Sequence, residues 1–193
     1  MRILLAAIVA AFLHSCNREN LKYDKPYFDF DSLVHVQILK LEETKPGVRK
    51  KTSLTKKSDS VTFTPDTAQW KHELDAFQQL DVINKPLYKG NYERIDFADD
   101  HSNLLVRLYR AKIKSPVPEV KFFFQDNFKK LKRIEAVFME GNVLYATSRK
   151  MTLEFDEQHG MQMISRYQVQ GFQKMIFSDR VLFSIEGRLI FPN

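Results

Sequence analysis

The stretch that decides the fold is RIEAVFMEGNVLYATSRKMTLEFDEQHGMQMISRYQV, residues 133–169. Apolar and polar residues alternate along much of it, and turn-like segments at 140–142 and 156–160 interrupt the alternation. A period of two places every second side chain on the same face of a β-strand, and short turns between such runs are typical of antiparallel hairpins. The stretch therefore predicts consecutive antiparallel strands.

Similar short runs continue on both sides of this stretch. Residues 104–109 alternate in the same way, residues 120–124 are strongly β-prone, and further apolar runs occupy 172–177 and 181–191. Turn residues separate the runs at intervals of about 8–12 residues, which is typical of antiparallel sheets and barrels. From residue 91 onward we therefore expect a curved, open, barrel-like antiparallel meander of about eight strands.

In the first half of the chain the apolar period becomes that of a helix. Apolar residues recur at helical spacing from Phe30 to Leu41. Asp29 or Asp31 is available as the N-cap, because a short acidic side chain accepts hydrogen bonds from the first free backbone N–H groups. These features predict a helix over residues 30–44.

The next segment, 48–64, is rich in Thr, Ser, Val and Lys and predicts a polar β-hairpin. A second helix is expected over residues 65–80, because Trp70, Leu74 and Phe77 form an apolar stripe. Helices that are segregated from antiparallel strands indicate the α+β class. We expect the two N-terminal helices to pack on the concave face of the sheet.

The first residues have the pattern of a signal peptide. Arg2 precedes an unbroken apolar run over residues 3–13, which at ~1.5 Å per residue is far shorter than the ~30 Å hydrocarbon core of a bilayer. Ser15 and then Cys16, the single cysteine, follow this run. The segment resembles the lipobox of bacterial lipoproteins. That resemblance implies a signal peptide at 1–15, a lipid on Cys16, and a lipid-anchored location in the cell envelope, at the outer membrane.

The alternative is an ordinary secretory signal in which Cys16 is incidental. If Cys16 is acylated, the mature chain keeps no thiol, so it forms neither a disulfide nor a zinc site built on cysteine. Residues 17–27 are polar and lack an apolar period. We therefore expect residues 16–28 to be a tether and residues 29–193 to be a single α+β domain.

The sequence carries no motif typical of an enzyme. It contains no G-x-S-x-G, G-x-G-x-x-G or G-K-[ST] segment, and its histidines form no His-x-x-x-His pair. The acidic and histidine cluster at 99–101 could hold a divalent ion, but it is typical of a polar turn. We predict no catalytic residue, no cofactor and no metal site.

The formal net charge is +6, a mild basic excess that favours anionic surfaces such as phospholipid headgroups. The order of elements resembles, in topology only, the LolA/LolB lipoprotein-carrier fold, an open barrel closed by helices, and the layout of small lipoproteins of Bacteroidota. The expected partners are the membrane, through the lipid on Cys16, and an apolar ligand or an envelope protein. Nucleic acid is not expected.

The chain is rich in large apolar residues, with 16 Phe, 7 Tyr and 6 Met. Residues 104–106, 122–124 and 175–177 are apolar at every position, so these strands need cover on both faces or line a cavity. Core packing is one explanation, and a pocket for an apolar ligand is the other. The residues predicted to line such a pocket are Trp70, Phe77, Phe123, Val137, Met163 and Phe177.

Two functions follow from these features. The first is a membrane-anchored envelope lipoprotein that acts as a non-catalytic binding module for a lipid or another apolar ligand. The alternative is a structural or accessory subunit of an envelope complex, with a filled core and no ligand. A void under the concave face of the sheet favours the first, and a filled core with an exposed apolar patch favours the second.

Replacing Cys16 with Ala is expected to release the protein from the membrane fraction. A diacylglycerol and an amide-linked chain on Cys16 would hold the protein firmly, because anchoring that lasts needs more than one acyl chain. The measurement is membrane fractionation with a salt wash. A Cys16→Ala variant that still sediments with the membrane and resists the salt would contradict the anchor.

Overall fold

The computed structural model describes residues 23–55 and 57–192. These residues form one sheet of nine strands, two α-helices and two short 3₁₀ helices. The helices are α1 (Phe30–Thr44) and α2 (Thr67–Gln78), and the 3₁₀ helices are Gln79–Asn84 and Pro86–Tyr88. The strands are β1 (Gly47–Leu54), β2 (Lys57–Phe63), β3 (Tyr92–Ala98), β4 (Leu105–Ala111), β5 (Glu119–Gln125), β6 (Lys130–Gly141), β7 (Tyr145–Gln158), β8 (Met161–Met175) and β9 (Val181–Ile190).

The sheet is antiparallel and open, with β2 and β3 at its two edges and the order β2-β1-β9-β8-β7-β6-β5-β4-β3. Strands β3 to β9 form a meander in which each strand pairs with the next. The hairpin β1–β2 extends this meander, because β1 pairs with β9 from Gly47 opposite Ile190 to Leu54 opposite Phe183. The first strands of the chain therefore depend on the last one for their place.

The α+β class and the open antiparallel sheet are confirmed, but details differ from the prediction. From residue 91 onward there are seven strands, β3 to β9, and the polar hairpin adds β1 and β2 to the same sheet, which gives nine. The two helices are not both N-terminal to the strands, since β1 and β2 lie between them. Apolar residues occur at alternate positions in 143–147 and again in 151–155, with a polar stretch between these two runs. Tyr145 to Phe155 lie in one strand, β7, because its pairing with β8 continues through the polar residues between these runs.

Helix α1 occupies the predicted residues. Its N-cap is Asp29, whose side chain accepts a hydrogen bond from the backbone N–H of Ser32. The helix ends at Thr44, because Lys45 adopts a left-handed conformation (φ 45°) and Pro46 has no N–H to continue the helix. Its buried apolar side chains are those of the predicted stripe: Phe30, Val34, Ile38 and Leu41.

Helix α2 begins directly after Asp66, slightly later than predicted. Asp66 and Gln69 form a capping box, in which each side chain accepts a hydrogen bond from the backbone N–H of the other residue. The buried face is the predicted one, with Trp70, Leu74 and Phe77. Neither α2 nor any other helix in the described part of the chain is long and apolar enough to span a membrane.

Both helices contribute to one hydrophobic core on one face of the sheet. A row of buried side chains crosses the central strands of this face: Phe122 lies opposite Ile134, Ile134 opposite Leu153, and Leu153 opposite Tyr167. All four are at most 1% exposed. The helices therefore cover the middle of the sheet and exclude water from it.

The opposite face of the sheet is polar along β7, β8 and β9, but on β4 and β5 it carries the buried apolar side chains of Val106, Leu108 and Phe123. Arg166 lies 3.3 Å from Glu154 and 3.1 Å from Glu186, which belong to the neighbouring strands β7 and β9. Ion pairs of this exposed kind contribute only ~0–1 kcal/mol each. Their main effect is that this part of the face is charged and remains in contact with water.

The described part of the predicted tether, residues 23–28, contacts the domain. The ammonium of Lys25 is paired with the buried carboxylate of Asp81. The ring of Phe28 lies 4.5 Å from that of Phe122, centre to centre, at the edge of the core. The remaining tether, the predicted signal peptide and Cys16 lie outside the described residues.

Replacing Phe77 with Ala is expected to lower the free energy of unfolding by about 3–5 kcal/mol, because the lost ring leaves a cavity in the core. The measurement is urea unfolding, followed by the fluorescence of the buried Trp70. The control is Phe177→Ala, the same change at a ring that is 95% exposed, with an expected effect within about 0.5 kcal/mol. Similar losses at the two positions would contradict the arrangement of the core.

Candidate functional site

Three of the six residues predicted to line an apolar pocket belong to the main core. Trp70 and Phe77 come from α2 and Met163 comes from β8, and all three are buried. They belong to the single cluster that joins the helices to the sheet. Their surroundings are other core side chains, as expected from the core-packing explanation.

The other three residues lie elsewhere. Phe123 follows Phe122 along β5, and because Phe122 faces the helices, Phe123 faces the opposite side of the sheet. Val137 precedes the core residue Phe138 on β6 and faces that opposite side for the same reason. Phe177 is exposed in the turn after β8. The structure therefore does not bring the six side chains together around one cavity, and none of them lines the clefts described below.

A polar cleft of about 490 Å³ lies between α2 and the helix-facing side of the sheet. Within it, Lys50 Nζ lies 2.5 Å from Glu73 Oε1, and the hydroxyl of Tyr167 donates to Glu73 Oε2 at 2.7 Å. Gly187 makes room for this tyrosine, because a Cβ at position 187 would lie 2.1 Å from the ring carbon Cζ. Glu73 therefore joins α2 to β1 and β8 through both of its carboxylate oxygens.

Burial shifts the pKa of two other groups in the polar cleft. Burial and the hydrogen bond to Glu73 raise the pKa of Tyr167 well above its usual range. Burial also lowers the pKa of Arg149, whose Nη2 donates to Gln79 Oε1 at 3.0 Å. Tyr167 thus stays protonated at neutral pH. The hydrogen bonds of these residues connect the helical segments to the sheet.

Three carboxylates, those of Asp29, Asp31 and Asp81, lie within 4.8 Å of one another where the chain enters the domain. The ammonium of Lys25 lies among them, 3.7 Å from Asp29 and 2.6 Å from Asp31, and it also contacts Asp81. Burial by itself would lower the pKa of Lys25, but the hydrogen bonds to Asp31 and Asp81 outweigh it and raise that pKa. The lysine supplies the positive charge that this cluster needs.

The largest of five described clefts is an open groove of about 680 Å³ at one end of the sheet. The loop between β4 and β5 forms one wall, and the backbone N–H of Met139 holds it against β6 by donating to the carbonyl of Pro116 at 2.7 Å. We call this cleft the apolar groove. Its apolar lining includes Ile113, Pro116, Pro118, Met139, Ala146 and Phe172.

Sequence reasoning did not identify the apolar groove. Its residues come from the ends of four strands, from one loop and from Tyr88 in a short 3₁₀ helix, and a period of two does not show which strand ends converge. The available signal was the presence of apolar residues next to turns, as at Ile113, Met139 and Phe172, where polar residues are usual.

Comparison of the chain with protein-family models, curated proteins and solved structures found no match. The lipobox resemblance and the topological resemblance to lipoprotein carriers therefore stay predictions. The function has to be argued from the clefts and surfaces themselves.

Replacing Lys50 with Met is expected to lower the free energy of unfolding by about 1–3 kcal/mol, because the buried carboxylate of Glu73 loses a charged partner. Lys51→Met is the matched control, the same change at the next residue, which is exposed and points to the other face of β1. Its effect is expected to be near zero. Urea unfolding of both variants measures the difference, and equal effects would show that the tie between α2 and the sheet is weak.

Proposed function

We propose that this chain is a lipid-anchored, non-catalytic binding module of the cell envelope, and that its apolar groove receives an apolar ligand such as an acyl chain. The observation that carries this proposal is the groove itself. Its volume of about 680 Å³ lies within the range of roughly 300–1,000 Å³ that small-molecule sites occupy.

The lining of the groove fits an apolar chain. Ile113, Met139 and Phe172 offer aliphatic, thioether and aromatic surface. Met is unbranched and adaptable, so it suits ligands of variable shape. Lys114 and Ser115 stand at the same groove and can bind a polar headgroup while the apolar part lies inside. The site is open along one side, so a ligand longer than the groove can enter without a conformational change.

The position of Tyr23 supports a groove that lies close to the proposed anchor. Tyr23 lies in a cleft of about 580 Å³ together with Pro116 and Glu140, and these two residues also line the apolar groove. Cys16 precedes Tyr23 by seven positions, a reach of at most about 25 Å at ~3.3–3.6 Å per residue. A lipid on Cys16 would therefore keep the groove close to the membrane surface.

A second function is an accessory subunit that docks on another envelope protein. It is favoured by the filled core under the helices and by large apolar side chains that are exposed at the turns. Exposed apolar patches on a folded domain often mark interaction sites. The two functions predict different molecules in contact with Met139.

Photo-crosslinking in cells tests which molecule occupies the groove. A photoreactive phenylalanine derivative replaces Met139, and mass spectrometry of the purified protein identifies the adduct. The proposal expects a lipid adduct at this position. It also expects that Ala146→Trp, which fills the groove with an indole ring, strongly reduces the adduct.

Ala98→Trp is the matched control for the filling variant. Ala98 is also an exposed alanine on a strand, but it lies at the far end of β3 and outside the groove. It should leave the adduct unchanged. A protein adduct at position 139 would support the accessory subunit, and a lipid adduct that Ala146→Trp does not reduce would refute binding within the groove.

A further inference from the structure

Exposed apolar side chains concentrate at the end of the sheet that carries the apolar groove. The four most exposed large apolar residues of the described chain are Phe177 (95%), Val143 (86%), Leu87 (71%) and Leu144 (60%). All four lie at turns or in the short 3₁₀ segment at this end. With Ile176 and Leu182, which are also exposed, we call them the apolar rim.

Backbone contacts join the parts of the apolar rim into one surface. The N–H of Ile176 donates to the carbonyl of Leu144 at 2.8 Å, so the β6–β7 and β8–β9 turns touch. The carbonyl of Leu182 accepts from the N–H of Thr55 at 2.8 Å, which adds the turn of the β1–β2 hairpin. Leu87 lines a cleft with Glu140 at the end of β6. The rim is therefore continuous.

The lengths of two strands explain why the rim is exposed. β7 has 14 residues and β8 has 15, more than any other strand of the described sheet. The helical segment that follows α2 reaches β7 at Arg149, through Gln79. β7 extends beyond this contact, from Arg149 back to Tyr145, which lies next to the β6–β7 turn. The turns thus extend past the helices.

The charge near the apolar rim is mixed, with a basic excess. The acidic groups in its turns and at the adjoining strand ends are Asp24, Asp59, Glu93, Glu119, Glu140 and Asp179, and Asp24 is paired with Lys89 at 3.0 Å. Further exposed basic side chains at this end are Lys57, Lys85, Lys112, Lys114, Lys174 and Arg180. An apolar surface flanked by Lys and Arg suits an anionic membrane interface, where the apolar side chains enter the lipid and the cations bind phosphate.

We propose that the apolar rim inserts into the interfacial region of an anionic phospholipid bilayer. It is a second attachment that fixes the orientation of the domain on the membrane. This inference rests on the proposed lipid anchor, because Tyr23, seven positions after Cys16, lies at the same end of the molecule. With the rim in the bilayer, the apolar groove opens at the membrane surface, where acyl chains are supplied.

The shape of the rim favours a bilayer over a protein partner. Its most exposed members stand on three separate segments, at Leu87, at 143–144 and at Phe177, and not on the face of one helix or strand. Such side chains can enter the disordered interface of a bilayer without a complementary partner surface. Each basic residue close to an anionic membrane adds to binding, and the effect weakens with salt.

The test uses the full lipidated chain, reconstituted into vesicles of phosphatidylcholine and phosphatidylglycerol. Phe177→Cys carries an NBD fluorophore, whose emission moves to the blue in lipid and which doxyl-labelled phospholipids quench on contact. The matched control is Asn103→Cys with the same fluorophore, because Asn103 is exposed in the β3–β4 turn at the other end of the sheet. We expect a blue shift and quenching at position 177 and neither at position 103.

A third sample separates failure of this proposal from failure of the anchor. The chain without an introduced cysteine takes up no fluorophore if Cys16 carries a lipid, and labelling of Cys16 would refute the anchor itself. With Cys16 blocked, an unshifted and unquenched signal at position 177 would overturn the insertion of the rim and favour a protein partner.

A charge variant tests the same surface from another position. The fluorophore is placed at Leu144→Cys, and Phe177 is changed to Asp, an exposed substitution whose folding is checked by the fluorescence of Trp70. We expect the Asp to reduce the quenching at position 144. We also expect vesicles of phosphatidylcholine alone to give less quenching than anionic vesicles. Quenching that is unchanged in both comparisons would overturn the proposal.

Discussion

An antiparallel sheet has two faces, and the helices of the described chain cover only one of them. That constraint organises the rest of the structure, because the central strands bury apolar side chains where α1 and α2 lie, and most of the other face is polar. Phe122 and Tyr167 are buried under the helices, while Arg166 on β8 takes part in ion pairs on the other side. The core is filled as a consequence, and a ligand has to be sought at the margins of the sheet.

Polar ties hold the helices over the sheet at defined points. Glu73 connects α2 to β1 and β8 through Lys50 and Tyr167, and Asp81 holds Lys25 where the chain enters the domain. Buried charges are costly to desolvate, so each persists because its partner is in place. These contacts set the position of the helices along the strands, and with it the length of strand that stays uncovered.

The strand ends that the helices leave uncovered carry the features on which the proposed function depends. Beyond the helices, the β6–β7 and β8–β9 turns carry apolar residues. The β4–β5 loop forms one wall of the apolar groove and contacts Met139. Tyr23, seven positions after Cys16, lies at the same end of the sheet as the groove and the apolar rim. The proposed exchange of an apolar ligand with a membrane requires this arrangement.

Local patterns were sufficient to predict the helix at Phe30–Thr44 and the alternation of the strands, because caps and periods act between neighbouring residues. They narrowed the cap to Asp29 or Asp31, and the structure shows that it is Asp29. From the same patterns we predicted that Phe123 and Phe177 line a pocket. Alternation shows that successive side chains face opposite sides of the sheet, but it does not show which side the helices cover. The pairing of β1 with β9 and the convergence of the strand ends into a groove depend on contacts between residues far apart in the chain. Only the tertiary structure decides those, because packing the helices on the sheet selects one face, one register and one uncovered end.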